Sequence, residues 1–118
     1  MLAFCLVEVT FRNAKLARLC SSRDRMVREL GAPMARRLGA RLQELEAADT
    51  LADMRFLPQV RAHELLGDRD EQISLDLVHP MRLILEVADD PTPRMSEGGL
   101  DWATIRSVVV VEITDTHE

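Results

Sequence analysis

No stretch of this 118-residue chain approaches the roughly 18–20 consecutive apolar residues that cross a bilayer, which excludes a conventional membrane-spanning helix. The apolar start, residues 1–9 (MLAFCLVEV), lacks a basic leader and a small-residue cleavage site, so it is expected to form a strand rather than a secretory signal. Cysteine is scarce: Cys5 and Cys20 have neither metal-type nor redox-type spacing, and a reducing cytoplasm is the expected compartment. A glycine-rich phosphate loop, an HExxH pair and a Gly-x-Ser-x-Gly elbow are all missing. Those absences remove the common nucleotide-binding, zinc-protease and α/β-hydrolase readings, and neither a metal nor a cofactor is expected. Bases are also outnumbered, 15 Lys and Arg against 20 Asp and Glu, and the net charge of −5 by itself disfavours nucleic acid.

What is present is globular. Apolar residues make up 47% and charged residues 30%, a balance that excludes wholesale disorder, and the length suits one domain over residues 1–118. The charge is unevenly distributed. Residues 12–43 hold nine bases and two acids, a local +7, whereas residues 44–118 hold six arginines and 17 acids, a local −11. Such asymmetry marks either a basic binding surface or the solvated face of Arg-rich helices.

Periodicity divides the chain at about residue 60. Residues 7–11 alternate and are β-branched, which predicts a strand. Asn13 stands where a helix N-cap belongs, and Ser22 either follows the end of that helix or caps a continuation over residues 23–30. Gly31 is a natural stop and Pro33 suits a first helical turn. Over residues 33–48, Met34, Leu38, Leu42 and Leu45 form an apolar stripe, with Arg36, Arg37, Arg41 and Glu44 off it. Thr50 and Asp53 have capping-box spacing, which predicts a further helical turn ended by Pro58. Strands are then expected at 62–66, 72–78, 82–87 and 104–113, with a turn at Gly67-Asp68, another at His79-Pro80 and a long hairpin loop at 89–101. The four consecutive valines 108–111 suggest a strand buried on both sides. Helices first and a meander after predict an α+β domain: an N-terminal strand and helical hairpin packed on one face of a mainly antiparallel sheet of four to five strands.

Three side chains stand out chemically. His63 and His117 lie at the two ends of the meander, and histidine is the side chain best suited to move protons near neutral pH. Arg82 lies on the polar side of a strand, where a guanidinium can brace a phosphate. Two histidines and an arginine suffice for cleavage of RNA by its own 2′-hydroxyl: a base takes the hydroxyl proton, an acid protonates the leaving oxygen, and a cation steadies the phosphorane. The same residues also fit a hairpin histidine, a cross-strand ion pair and a chain end.

Longer motifs carry a resemblance. His63-x-Leu65-x-Gly67-Asp68-Arg69, Asp76-Leu77-Val78-His79-Pro80-x-Arg82-Leu83 and Val111-Glu112-Ile113-x-Asp115-x-His117 together resemble the RelE/HigB superfamily. These are toxins of type II toxin–antitoxin modules, also called plasmid maintenance system killer proteins. One subgroup, often labelled killer suppression protein, carries the GDRDEQ and DLVHPxRL stretches. The resemblance spans essentially the whole chain, including Phe11-Arg12-Asn13-x-Lys15-Leu16. It implies a RelE-like fold, metal-independent cleavage of mRNA on the ribosome, and a helix-turn-helix antitoxin as partner, with DNA contacted only through that antitoxin. Carried over by position, it implies catalytic roles for His63, Arg82 and His117. RNA contacts are expected from Arg69 and from Arg36, Arg37 and Arg41 of the basic segment. Three positions depart from the family pattern: Thr116 replaces a tyrosine, Leu66 a lysine, and Asp76 stands where RelE-type members present a cation. They imply an alternative, a catalytically weak toxin fold that still binds an antitoxin.

Overall fold

The structure is a computed structural model and describes residues 6–116. Strand β1 (Glu8–Phe11) leads into three α-helices, α1 (Ala14–Cys20), α2 (Arg23–Leu30) and α3 (Ala32–Ala47). A 3-10 segment at Leu51–Phe56 precedes β2 (His63–Glu64), β3 (Ile73–Asp76), β4 (Met81–Val87) and β5 (Ser107–Asp115). The sheet order is β1-β5-β4-β3-β2, with β1 parallel to β5 and the other neighbours antiparallel. The fold is therefore α+β with an open, mixed sheet of five strands.

Local chemistry explains the helix boundaries. The Asn13 side chain accepts the Leu16 amide at 2.9 Å and starts α1, and the Ser22 hydroxyl accepts the Arg25 amide at 3.2 Å and starts α2. The two alternatives open at Ser22 both hold, because α1 ends at Cys20 and a second helix begins at once. Gly31 separates α2 from α3 with φ 87° and ψ 158°, a region essentially closed to side chains, and Pro follows in the first turn of α3.

The helices cover one face of the sheet. Leu38, Leu42 and Leu45 of α3 meet Leu75, Leu83, Leu85, Val108 and Val110 of the strands in one apolar core, joined by Leu51, Met54 and Trp102. Trp102 is buried, its indole N–H donating to Glu64 at 2.9 Å, while the Arg55 guanidinium stacks 3.7 Å from the ring centroid.

Several expectations need revision. Arg41, read as lying off the apolar stripe of α3, is 3% exposed. The stretch 62–66 contributes only two residues of strand. At Thr50 no side-chain cap forms; the Asp53 carboxylate accepts the Asp49 amide instead, and the turn is 3-10 rather than α. The valine run is not uniformly sandwiched. Val108 and Val110 enter the core, then the register shifts so that Ile84 faces Glu112 while Leu85 faces Val110, leaving Val111 as an extra residue. This bulge returns Ile113 to the core side and sends Glu112 to the other. The 89–101 segment is the expected hairpin loop between β4 and β5, held by contacts of its own: Asp89 accepts the Arg106 and Ser107 amides, Arg94 pairs with Glu71, and Arg94 and Leu100 form a bridge.

Candidate functional site

The sheet face opposite the helices carries the polar residues. Strand register puts them in rows, since directly paired antiparallel residues share a face. His63 lies opposite Ser74, Ser74 opposite Ile84, and Ile84 opposite Glu112. One row along, Asp76 lies opposite Arg82 and Arg82 opposite Thr114. His63 and Arg82 thus share one face, two strands apart, so their Cα atoms are separated by roughly 12 Å. The two expected catalytic residues with described positions share a surface without touching. His117 lies outside the described residues. Thr116, just before it, lines an open cleft with Leu65, Leu66, Asp68, Arg69 and Gln72, so Arg69 is on the same side.

The electrostatics of this face are balanced in pairs. Arg82 Nη1 lies 3.1 Å from Asp76 Oδ1, and Arg61 Nε lies 3.5 Å from Asp76 Oδ2. Arg69 Nη1 reaches Glu112 at 2.8 Å and Gln72 at 2.9 Å, and the Gln72 amide donates to Glu86 at 2.8 Å. Arg12 stands 3.8 Å from Glu86. Each of these four arginines therefore has a carboxylate beside it, and the acidic surplus of the second half of the chain is locally met by guanidinium groups. Ser74, in the middle of the face, is fully buried, and its hydroxyl has no hydrogen-bond partner among the described residues. The His63 ring is exposed, with Nδ1 3.0 Å from the Arg61 carbonyl oxygen. That contact orients the imidazole and leaves Nε2 toward solvent.

The helical layer differs. Lys15, Arg18, Arg23, Arg28, Arg36 and Arg37 are exposed and have no ion-pair partner among the described residues. Arg36 and Arg37 are thus available to an anion. They lie on α3, in the layer across the core from His63 and Arg82, so the structure does not bring the two sets together. Arg41 is unavailable. Its Nη1 donates to the carbonyls of Gln59 (3.2 Å) and Asp76 (3.3 Å), and its Nε lies 2.8 Å from Glu44. This guanidinium satisfies backbone oxygens at the junction of α3 and the sheet, and the expected RNA contact is corrected to a structural one. Burial of a long side chain cannot be read from its position on a helical wheel when the neighbouring loop folds over it.

Sequence reasoning missed Arg61. It lies outside β2 with a left-handed φ of 49°, so no strand period could place it, and only its contact with Asp76 brings it to this face. Among the described residues, no group of three or more His, Cys, Asp or Glu is arranged to hold a metal, and no helix is long and apolar enough to cross a membrane. No protein-family model, curated protein or solved structure matches the chain, so its function is read from its own residues.

Proposed function

We propose that the chain is the toxin of a type II toxin–antitoxin module, a RelE/HigB-like cytoplasmic endoribonuclease that cleaves mRNA through attack of the 2′-hydroxyl on the adjacent phosphorus. The observation that carries this reading is the common sheet face of His63 and Arg82, following the whole-chain motif resemblance. In this scheme one histidine removes the 2′-hydroxyl proton and the other, His117, protonates the 5′-oxygen as it leaves. Arg82 steadies the charge that builds on the phosphorane oxygens. Arg69 lines the neighbouring cleft and contacts the RNA backbone. A small helix-turn-helix antitoxin is the expected partner, and the unpaired cations of the helical layer suit an acidic segment of it or ribosomal RNA.

Inducible expression in a bacterium lacking the neighbouring gene tests the proposal. Growth arrest with mRNA cleavage is expected, relieved by His63→Ala and by Arg82→Ala. Unimpaired growth with intact mRNA would refute it.

One observation favours a second reading. Arg82 already holds the Asp76 carboxylate, which suits a toxin-like fold that binds its antitoxin and cleaves weakly or not at all. Stable co-purification with a helix-turn-helix protein encoded next door, without RNA cleavage at high protein concentration, is the expected result of that alternative.

A further inference from the structure

We propose that Arg61 and Arg82 form a two-guanidinium site for a phosphodiester of single-stranded RNA, and that Asp76 is its resident anion, which substrate must displace. The inference rests on the RNA-facing reading of the polar sheet face and adds to it a second phosphate ligand, Arg61, and an internal competitor.

The geometry is that of one anion held by two cations. Asp76 offers Oδ1 to Arg82 at 3.1 Å and Oδ2 to Arg61 at 3.5 Å, one oxygen to each guanidinium. A phosphodiester likewise presents two non-bridging oxygens that share one negative charge, and guanidinium groups bind both kinds of oxyanion. Arg61 is 76% exposed and Arg82 21%, so the pair forms a gradient from solvent to sheet rather than a buried clamp. The Arg61 contact is exposed and contributes little to stability, which leaves a second guanidinium on the Asp76 carboxylate poorly explained as a folding device. Arg61 is moreover a non-glycine residue with φ 49°, a left-handed conformation that side chains seldom adopt.

Asp76 is built to let go without unfolding its surroundings. Its backbone is fixed independently of its carboxylate: the amide donates to Val60 at 2.7 Å and the carbonyl accepts from Arg41 at 3.3 Å. Rotation about χ1 can therefore withdraw the carboxylate while the strand stays in register. His63 lies one row away on the same face, so a phosphate on Arg61 and Arg82 is adjacent to the proposed proton-transfer group. Until displacement, the carboxylate cancels the field that would draw an anion to Arg82.

The test uses the full chain and a 2′-O-methyl uridine hexanucleotide, whose blocked 2′-oxygen cannot cleave the strand, with affinity read by fluorescence anisotropy. Asp76→Asn is expected to bind at least about tenfold tighter than the unmodified chain, more than loss of one remote charge provides. The gain is expected to disappear in Asp76→Asn/Arg82→Gln and to shrink in Asp76→Asn/Arg61→Gln. Asp90→Asn, which removes an exposed acid elsewhere, is the charge control and is expected to change affinity little. Asp76→Ser serves as a second opening of the site if the asparagine variant does not fold. The proposal is overturned if both Asp76 variants bind no tighter than the unmodified chain, if Asp90→Asn matches their gain, or if the gain survives loss of Arg82. Because the oligonucleotide is uncleavable, the two readings separate. Tighter binding in cells that show no arrest supports the anion site and counts against the nuclease; arrest without tighter binding does the reverse.

Discussion

Arg41 and Arg36 differ by five positions on one helix and by almost everything else. Arg41 supplies donors to two main-chain carbonyls and to Glu44 from a buried position, so its loss strands three acceptors at once. Arg41→Ala is expected to destabilise the fold by about 2–4 kcal/mol in urea unfolding, whereas Arg36→Ala stays within about 0.5 kcal/mol. Cys20 is a second residue whose surroundings decide its chemistry. Half-burial at the end of α1 pushes its thiol up to about 11, by desolvation of the thiolate. At pH 8 it is protonated, so iodoacetamide labelling of the Cys20 peptide, followed by mass spectrometry, is expected to be far slower in the native chain than in urea. The linkage has a definite sign. The unfolded thiol ionises first as pH rises, so this residue's contribution to stability is intact below about pH 9 and is lost toward pH 11. The urea midpoint of the unmodified chain should therefore fall toward that of Cys20→Ala across this window.

At the level of elements, two glycines of the helical layer have opposite roles. Gly39 lies within α3, and a Cβ added there meets no atom within 4 Å. Gly39→Ala is expected to stabilise by about 0.5–1 kcal/mol, through helix propensity and a less flexible unfolded chain. Gly31 holds φ 87° and ψ 158° between two helices, and Gly31→Ala is expected to cost about 1–3 kcal/mol; thermal unfolding of the two variants should shift in opposite directions. These helix boundaries were legible in the sequence because capping and φ > 0 are local properties of a few residues. The Asn13, Ser22 and Gly31 assignments hold for that reason. The valine run was legible only in part: Val108, Val110 and Val111 are buried as expected, and Val109 is half-buried. Its inward and outward sides depend on a bulge at Val111, set by pairing with β4, and no local pattern in 108–111 announces it.

The whole molecule sorts its charge into two kinds. Arginines of the sheet face are matched by carboxylates, while Arg18, Arg23, Arg28, Arg36 and Arg37 of the helices face solvent with no ion-pair partner among the described residues; Arg25 and Arg41, paired with Glu29 and Glu44, are the exceptions in that layer. Only the second kind can release counterions from a polyanion without first breaking an internal pair. With single-stranded poly(U), the slope of log affinity against log salt is therefore expected to fall by about 1.4 in Arg36→Gln/Arg37→Gln, at about 0.7 per phosphate contact. Arg69→Gln, whose charge is balanced by Glu112 until RNA displaces it, is expected to lower the slope by less than about 0.7. Equal slopes for all three proteins would show that the helical layer does not face RNA.

The sequence by itself determined the α+β class of fold, the order of its strands and the helix boundaries at Asn13, Ser22 and Gly31, because periodicity and caps are written position by position. It also contained the +7 and −11 segments, but as totals along a line. The tertiary structure decided which charges meet. It buried Arg41 under the loop that follows α3, brought Arg61 and Arg82 onto one carboxylate, and left Arg36 and Arg37 across the core from His63. Coulomb interactions fall with distance in space and not with separation along the chain, so the net charge of −5 foretold none of these meetings.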